Sequence, residues 1–139
     1  MIKKVILVDG VFDPIHEGHI EYLNKASKLG DKLILNLASD NEVWEKRPDL
    51  GPFLTYNARK SILQNLKAVE KVVGFDTLEA LKKIKPNIYV KGDDWKNKLP
   101  NEELEYFKKN RIKINYLNTK LNSSTGILER FLKRIENGR

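Results

Sequence analysis

Apolar runs and helix-periodic stretches alternate along most of this chain. Short apolar or β-branched runs fall at Lys4 to Val8, Lys32 to Ala38, Val69 to Val73, Ile88 to Lys91 and Lys113 to Leu117, and each has the length of a buried strand. Between them, apolar residues recur at helical spacing. Ile20, Leu23, Ala26 and Leu29 mark a first helix, which Gly30 is expected to stop as a C-cap residue; Ala58, Ile62, Leu66 and Val69 mark a second. Thr77 is expected to cap a third helix that Pro86 ends, and Asn101 to cap a fourth after Pro100. A last helix is predicted from about Ser124 to Glu136, with Ile127, Phe131 and Ile135 on one stripe. The stretch from Trp44 to Tyr56, with Pro48, Gly51 and Pro52, has no clean period and reads as a long loop, a candidate substrate lid. This rhythm predicts an α/β fold: one domain over residues 1–139, with a parallel sheet and crossover helices.

Composition narrows the class. At 139 residues the chain is about one domain long, and with no cysteine it has no disulfide, thiolate metal site or cysteine nucleophile. No apolar run approaches the roughly 20 residues that span a bilayer, and Met1-Ile2-Lys3-Lys4 leads straight into a strand, so a cytoplasmic protein without a membrane partner is expected. The net charge of +7 suits nucleic acid, an acidic membrane surface or small polyanionic substrates, and charge alone does not choose among them. Its basic pairs, such as Lys3-Lys4, Lys46-Arg47 and Lys82-Lys83, sit beside apolar positions and read as solvated faces, and no nucleic-acid-binding motif is present, so no nucleic-acid partner is expected.

The chemistry concentrates where the first strand meets the first helix. Both histidines lie in Gly10-Val11-Phe12-Asp13-Pro14-Ile15-His16-Glu17-Gly18-His19. In a parallel sheet such a turn sits at the carboxyl ends of the strands, where ligands bind and helix amides point at anions. His16 just before the helix and His19 in its first turn can converge on one anion. Gly10 and Gly18 let backbone approach it closely. An imidazole donates a hydrogen bond whether neutral or protonated, which suits charge growing on a leaving phosphate.

This stretch resembles the GxFDxxHxGH signature of the nucleotidyltransferase superfamily that includes glycerol-3-phosphate cytidylyltransferase and the adenylyltransferase domain of ADP-heptose synthesis. The resemblance runs from about Lys4 to Arg134. It implies a doubly wound, Rossmann-like domain with a five-stranded parallel sheet in the order 3-2-1-4-5, and in-line transfer of a nucleoside monophosphate from a triphosphate to an acceptor phosphate, with Mg2+ bound alongside the nucleotide and a homodimer as the assembly. His16, His19 and Lys46 would be catalytic. Gly10, Val11, Phe12, Gly18, Ser123, Ser124 and Thr125 would bind the nucleotide, and Asp13, Arg59, Asp94 and Trp95 the substrate; the metal ligands stay undefined.

Three further segments carry parts of the resemblance. Lys85 to Trp95 looks like the KPDxxVKGxDY segment of heptose adenylyltransferases, and Gly92-Asp93-Asp94-Trp95 like the GDDW of glycerol-3-phosphate cytidylyltransferases. A carboxylate there would hold magnesium or an acceptor hydroxyl while Trp95 closes the pocket. Ser123-Ser124-Thr125 caps the final helix by residue type, and by resemblance lends hydroxyls and amides to phosphates. Arg59 suits either a phosphate or a neighbouring carboxylate. Asp40, after Ser39, reads as a turn or cap residue. Asn118 to Thr125 departs from the RTxGxSTT pattern and lacks its arginine, leaving Lys120 to substitute as a point charge. The acceptor expected is a sugar phosphate such as heptose 1-phosphate, with glycerol 3-phosphate the runner-up; a non-catalytic nucleotide-binding module is the reading from another class.

Overall fold

A computed structural model describes residues 3–118 and 122–138; Lys120 lies outside them. Five parallel strands, β1 (Val5–Gly10), β2 (Lys32–Leu37), β3 (Lys71–Val73), β4 (Ile88–Gly92) and β5 (Lys113–Leu117), form one sheet in the order β3-β2-β1-β4-β5. The order 3-2-1-4-5 expected from the resemblance is the one observed. Helices α1 (Glu17–Ser27), α2 (Asp40–Lys46), α3 (Tyr56–Leu63), α4 (Thr77–Ile84), α5 (Asn101–Lys109) and α6 (Ser124–Glu136) connect or follow the strands, and a single 3-10 turn covers Asp93–Trp95.

Alternation along β1 divides the core. Ile6 and Val8 point to a face covered by Tyr22, Leu23 and Ala26 of α1 and Leu63 of α3, whereas Leu7 points to Ala80 and Leu81 of α4 and Phe107 of α5. Leu7 pairs in register with Ile34 on one side and Tyr89 on the other, so β1 is central. The chain reverses direction across the sheet between β1 and β4, which opens a crevice beyond their carboxyl ends.

Several local expectations are corrected. Trp44 to Lys46 are helical: Ser39 and Glu42 form a capping box that starts α2, and only Val43 of that helix is buried, too little apolar signal to show a period. The second helix ends at Leu63 rather than Val69, with Thr55 as its N-cap. Asp76, not Thr77, stands at the N-cap of α4, and Pro100, not Asn101, at that of α5, because the Thr77 hydroxyl is taken up elsewhere and Asn101 already lies inside the helix. Gly30 is not the C-cap of α1; Lys28 is. Gly30 instead lies close against β1, where a Cβ would come within 2.9 Å of the Lys4 carbonyl oxygen. Of the α6 stripe, Phe131 and Ile135 are exposed and Leu128 is the helix's buried residue, so α6 packs through its first turns.

Candidate active site

The carboxyl ends of β1 and β4 and the starts of α1 and α6 surround a cavity of about 710 Å3. Ten of the expected site residues line it: Gly10, Val11, Phe12, His16, Gly18, His19, Lys46, Asp94, Trp95 and Ser123. Such a volume accommodates a nucleotide-sized ligand.

The two histidines build the start of α1 between them. His16 is the N-cap, and its Nδ1 accepts the Gly18 N–H at 3.1 Å; His19 Nδ1 accepts the His16 N–H at 3.2 Å. This is a capping box in which imidazoles take the parts usually played by Ser or Thr and Glu or Gln. The rings stack at 3.8 Å between centroids. Because each Nδ1 accepts a backbone proton, each ring carries its own proton on Nε2. Burial lowers the pKa of His16 against the charge of Glu17, and lowers that of His19 to about 4, with His16 adding to the shift. Near neutral pH the cavity therefore presents two uncharged imidazoles, each with one N–H left to donate.

Both motif glycines have steric reasons. A Cβ on Gly18 would lie 2.9 Å from Cε1 of His16, so glycine lets the ring fold over the helix start. A Cβ on Gly10 would collide with the Phe12 ring. Phe12 takes a left-handed φ of 52° and meets His19 edge to face, with centroids 5.0 Å apart.

Asp13 does not reach the cavity. It is buried, and its carboxylate accepts hydrogen bonds from Phe53 N at 2.6 Å, Leu54 N at 2.8 Å and Arg47 Nη2 at 2.7 Å. It ties the loop before α3 to the histidine turn. Arg59 is likewise buried and away from the cavity wall: Nε donates to the Leu54 carbonyl, Nη1 to those of Val11 and Ala38, and Nη2 to Asp40 Oδ1 at 2.7 Å. Its five-donor fork holds together the segments after β1 and β2.

The α6 start divides similarly. Ser123 caps the helix by accepting the Gly126 N–H at 3.1 Å, and Ser124 Oγ donates to the Pro14 carbonyl at 3.0 Å. Thr125 is exposed, and neither it nor Ser124 is on the cavity wall. Asn122, which is, donates to Glu17 Oε1 at 2.7 Å and so joins the starts of α6 and α1. Two helix N-termini thereby face one space, the arrangement that favours a polyphosphate.

Asp9, Tyr22, Lys91 and Asn122 line the cavity without having been singled out from the sequence. Tyr22 was accessible, since it follows His19 by three residues on one helix face. Asp9 is held by three donors: Thr77 Oγ1 at 2.9 Å, Tyr89 OH at 2.5 Å and Asn36 Nδ2 at 2.9 Å. Burial, reinforced by Asp9, raises the pKa of both the Tyr22 and Tyr89 hydroxyls. Lys46 and Lys91 lie 5.6 and 4.4 Å from the ring centre of Trp95. Among the described residues no cluster of three histidine or carboxylate side chains is placed to hold a metal, and no helix is long and apolar enough to cross a membrane.

The cytidylyltransferase-like family model matches residues 7–130. Over 99 residues, 69% of it, the chain is 43% identical to the bifunctional protein HldE of Helicobacter hepaticus; over 98% of its length it is 35% identical to that of Syntrophotalea carbinolica. The aligned regions make up 20% and 28% of those proteins. Among solved structures, a lipopolysaccharide core biosynthesis protein from Thermoplasma volcanium superposes over 88% of this chain and all of its own, with a TM-score of 0.69 at 27% identity. An Archaeoglobus fulgidus protein of unknown function, at TM-score 0.64 and 19% identity, shares the fold.

Proposed function

The chain belongs to the cytidylyltransferase-like family, and on that premise we propose that it is a nucleotidyltransferase that moves a nucleoside monophosphate from a nucleoside triphosphate onto the phosphate of a small sugar. The observation that carries this reading is the pair of Nε2 donors. Backbone amides occupy Nδ1 of both His16 and His19, on rings that line a cavity faced by two helix N-termini.

In the reaction, an oxygen of the acceptor phosphate supplies the electron pair for a new bond to the α-phosphorus. The bond from that phosphorus to the oxygen bridging to the β-phosphorus breaks, and pyrophosphate leaves with its electrons. No protein nucleophile takes part. His16 and His19 donate Nε2–H bonds to the phosphates as charge moves onto the leaving group, while the amides of α1 and α6 hold the chain of phosphates in line. Rings already neutral and fixed need no reorganisation to do this. Magnesium accompanying the nucleotide would neutralise phosphate charge. The residues present suit a cation carried mostly by phosphate and water, with Asp93 or Asp94 as a protein ligand, because magnesium commonly binds with one or two carboxylates.

The acceptor is proposed to be a sugar phosphate of the heptose 1-phosphate type, on the likeness of Lys85 to Trp95 to heptose adenylyltransferases; glycerol 3-phosphate is the second choice, on Gly92 to Trp95. The test is to incubate the protein with each of four nucleoside triphosphates and a panel of sugar 1-phosphates and glycerol 3-phosphate, then look by mass spectrometry for a nucleoside diphosphate ester. A product with one pair supports transfer and identifies base and acceptor. Nucleotide binding with no product from any pair favours the non-catalytic module.

A further inference from the structure

Lys91 is a cation without an ion-pair partner among the described residues, on the wall of the cavity. It leaves the end of β4, which is buried on both faces up to Val90, so its stem is fixed by the sheet. Its ammonium lies 4.4 Å from the ring centre of Trp95, and that of Lys46 lies 5.6 Å from the same ring. The two amines come from opposite sides of β1, since α2 follows β2 and Lys91 ends β4. They converge over one aromatic platform.

Two like charges brought to one ring repel each other. A phosphate monoester dianion would relieve the repulsion and give both amines a partner.

We propose that Lys91, together with Lys46 across the Trp95 ring, is the receiving site for the acceptor's phosphate and holds its attacking oxygen toward the α-phosphorus. The assignment rests on the transferase reading above for its chemistry, but not for its binding. His16, His19 and the α6 start face the triphosphate, which leaves the amine pair for the second phosphate. The acceptor oxygen donates its electron pair to the α-phosphorus, and the pyrophosphate departs with the pair of the broken bond. Lys91 gives up no proton; it offsets charge on the nucleophile and fixes its direction.

The test uses the whole chain in a Trp44→Phe background, so that Trp95 is the fluorophore. Binding of sugar 1-phosphates and glycerol 3-phosphate is followed by Trp95 emission, and pyrophosphate release is measured in parallel, for Lys91, Lys91→Met and Lys91→Arg. A retained far-UV spectrum for Lys91→Met shows that the fold survives. Loss of a charge-assisted contact predicts an acceptor Kd and KM raised about 10- to 100-fold in Lys91→Met, with triphosphate KM unchanged and partial recovery in Lys91→Arg. Lys91-dependent binding without pyrophosphate release keeps the phosphate site and refutes the transferase reading. Equal acceptor binding by wild type and Lys91→Met, a change confined to triphosphate KM, or no binding of any phosphate ester by the wild type overturns the proposal.

Discussion

His16 and His19 each hold the other's segment: the His16 N–H donates to His19 Nδ1 at 3.2 Å, and the His16 ring, stacked on His19, caps the next turn through Gly18 N. The same two nitrogens that shape the backbone therefore dictate which proton each ring can offer a ligand. Structure and chemistry can be separated by substitution. Asparagine places an oxygen near the Nδ1 position and removes Nε2, whereas glutamine reaches the Nε2 position but loses the cap. His19→Asn is expected to stay within about 1 kcal/mol of wild-type stability while turnover falls about 10²- to 10³-fold. Chemical denaturation alongside steady-state kinetics checks both numbers.

Acid should undo this cap. The pKa of His19 is about 4 in the folded protein against 6.5 ordinarily, so the unfolded chain binds the proton more readily. The stability tied to a neutral His19 is fully present above pH 6.5 and is lost as the pH falls toward 4. A protonated Nδ1 also cannot accept the His16 N–H. Melting midpoints measured from pH 7 to pH 4 are expected to fall across that window, and His19→Asn should flatten the fall; an unchanged slope in the variant would remove His19 as its source.

Gly18 allows no side chain where the His16 ring lies 2.9 to 3.0 Å from an added Cβ. Gly18→Ala should push the ring off the helix start, lowering turnover at least about tenfold through misplacement of the Nε2 donor. Nuclear magnetic resonance of the His16 ring nitrogens reads this directly: Nδ1 should lose its hydrogen-bonded shift in the variant.

Arg59 should matter for folding rather than for substrate. Arg59→Met leaves the carbonyls of Val11, Ala38 and Leu54 and the carboxylate of Asp40 without its donors, and is expected to destabilise by about 3–5 kcal/mol. Substrate KM in the folded fraction, measured at low temperature, should stay near wild type. A large KM change with intact stability would instead put Arg59 at the ligand.

Asp13 makes the parallel case for the loop of residues 47–55. Asp13→Asn replaces an acceptor of three donors with a group that itself carries N–H, facing Phe53 N, Leu54 N and Arg47. Hydrogen exchange at Phe53 and Leu54 should accelerate about tenfold or more, with smaller changes in β1.

What the chain revealed in advance follows from where its signals are local. The five strands rest on apolar runs visible in sequence, and their order was implied by the family resemblance that a ten-residue turn motif carries. Strand ends were harder: β1 runs on through Asp9 and Gly10 because they pair with Asn36 and Leu37, although neither is apolar. α2 buries one residue, so its period was silent, yet its Ser39–Glu42 capping box was legible. Asp13 and Arg59 are polar residues beside a ligand motif, and their type alone cannot distinguish binding from scaffolding. Their partners lie 34 to 48 residues away for Asp13 with Arg47 and Arg59 with Val11, and only the fold brings them together. Lys91 was hidden for the opposite reason: in a chain of 26 basic residues, one lysine gains meaning only when the sheet fixes it beneath Trp95.

The central claim is that neutral, backbone-locked His16 and His19 stabilise departing pyrophosphate. It is tested most directly by single-turnover pyrophosphate release at neutral pH for wild type, His16→Asn and His19→Asn, with the best triphosphate and acceptor pair. The account predicts a loss of about 10²- to 10³-fold in the chemical step for each variant, with folding and triphosphate affinity nearly retained. Release at the wild-type rate in either variant would contradict it.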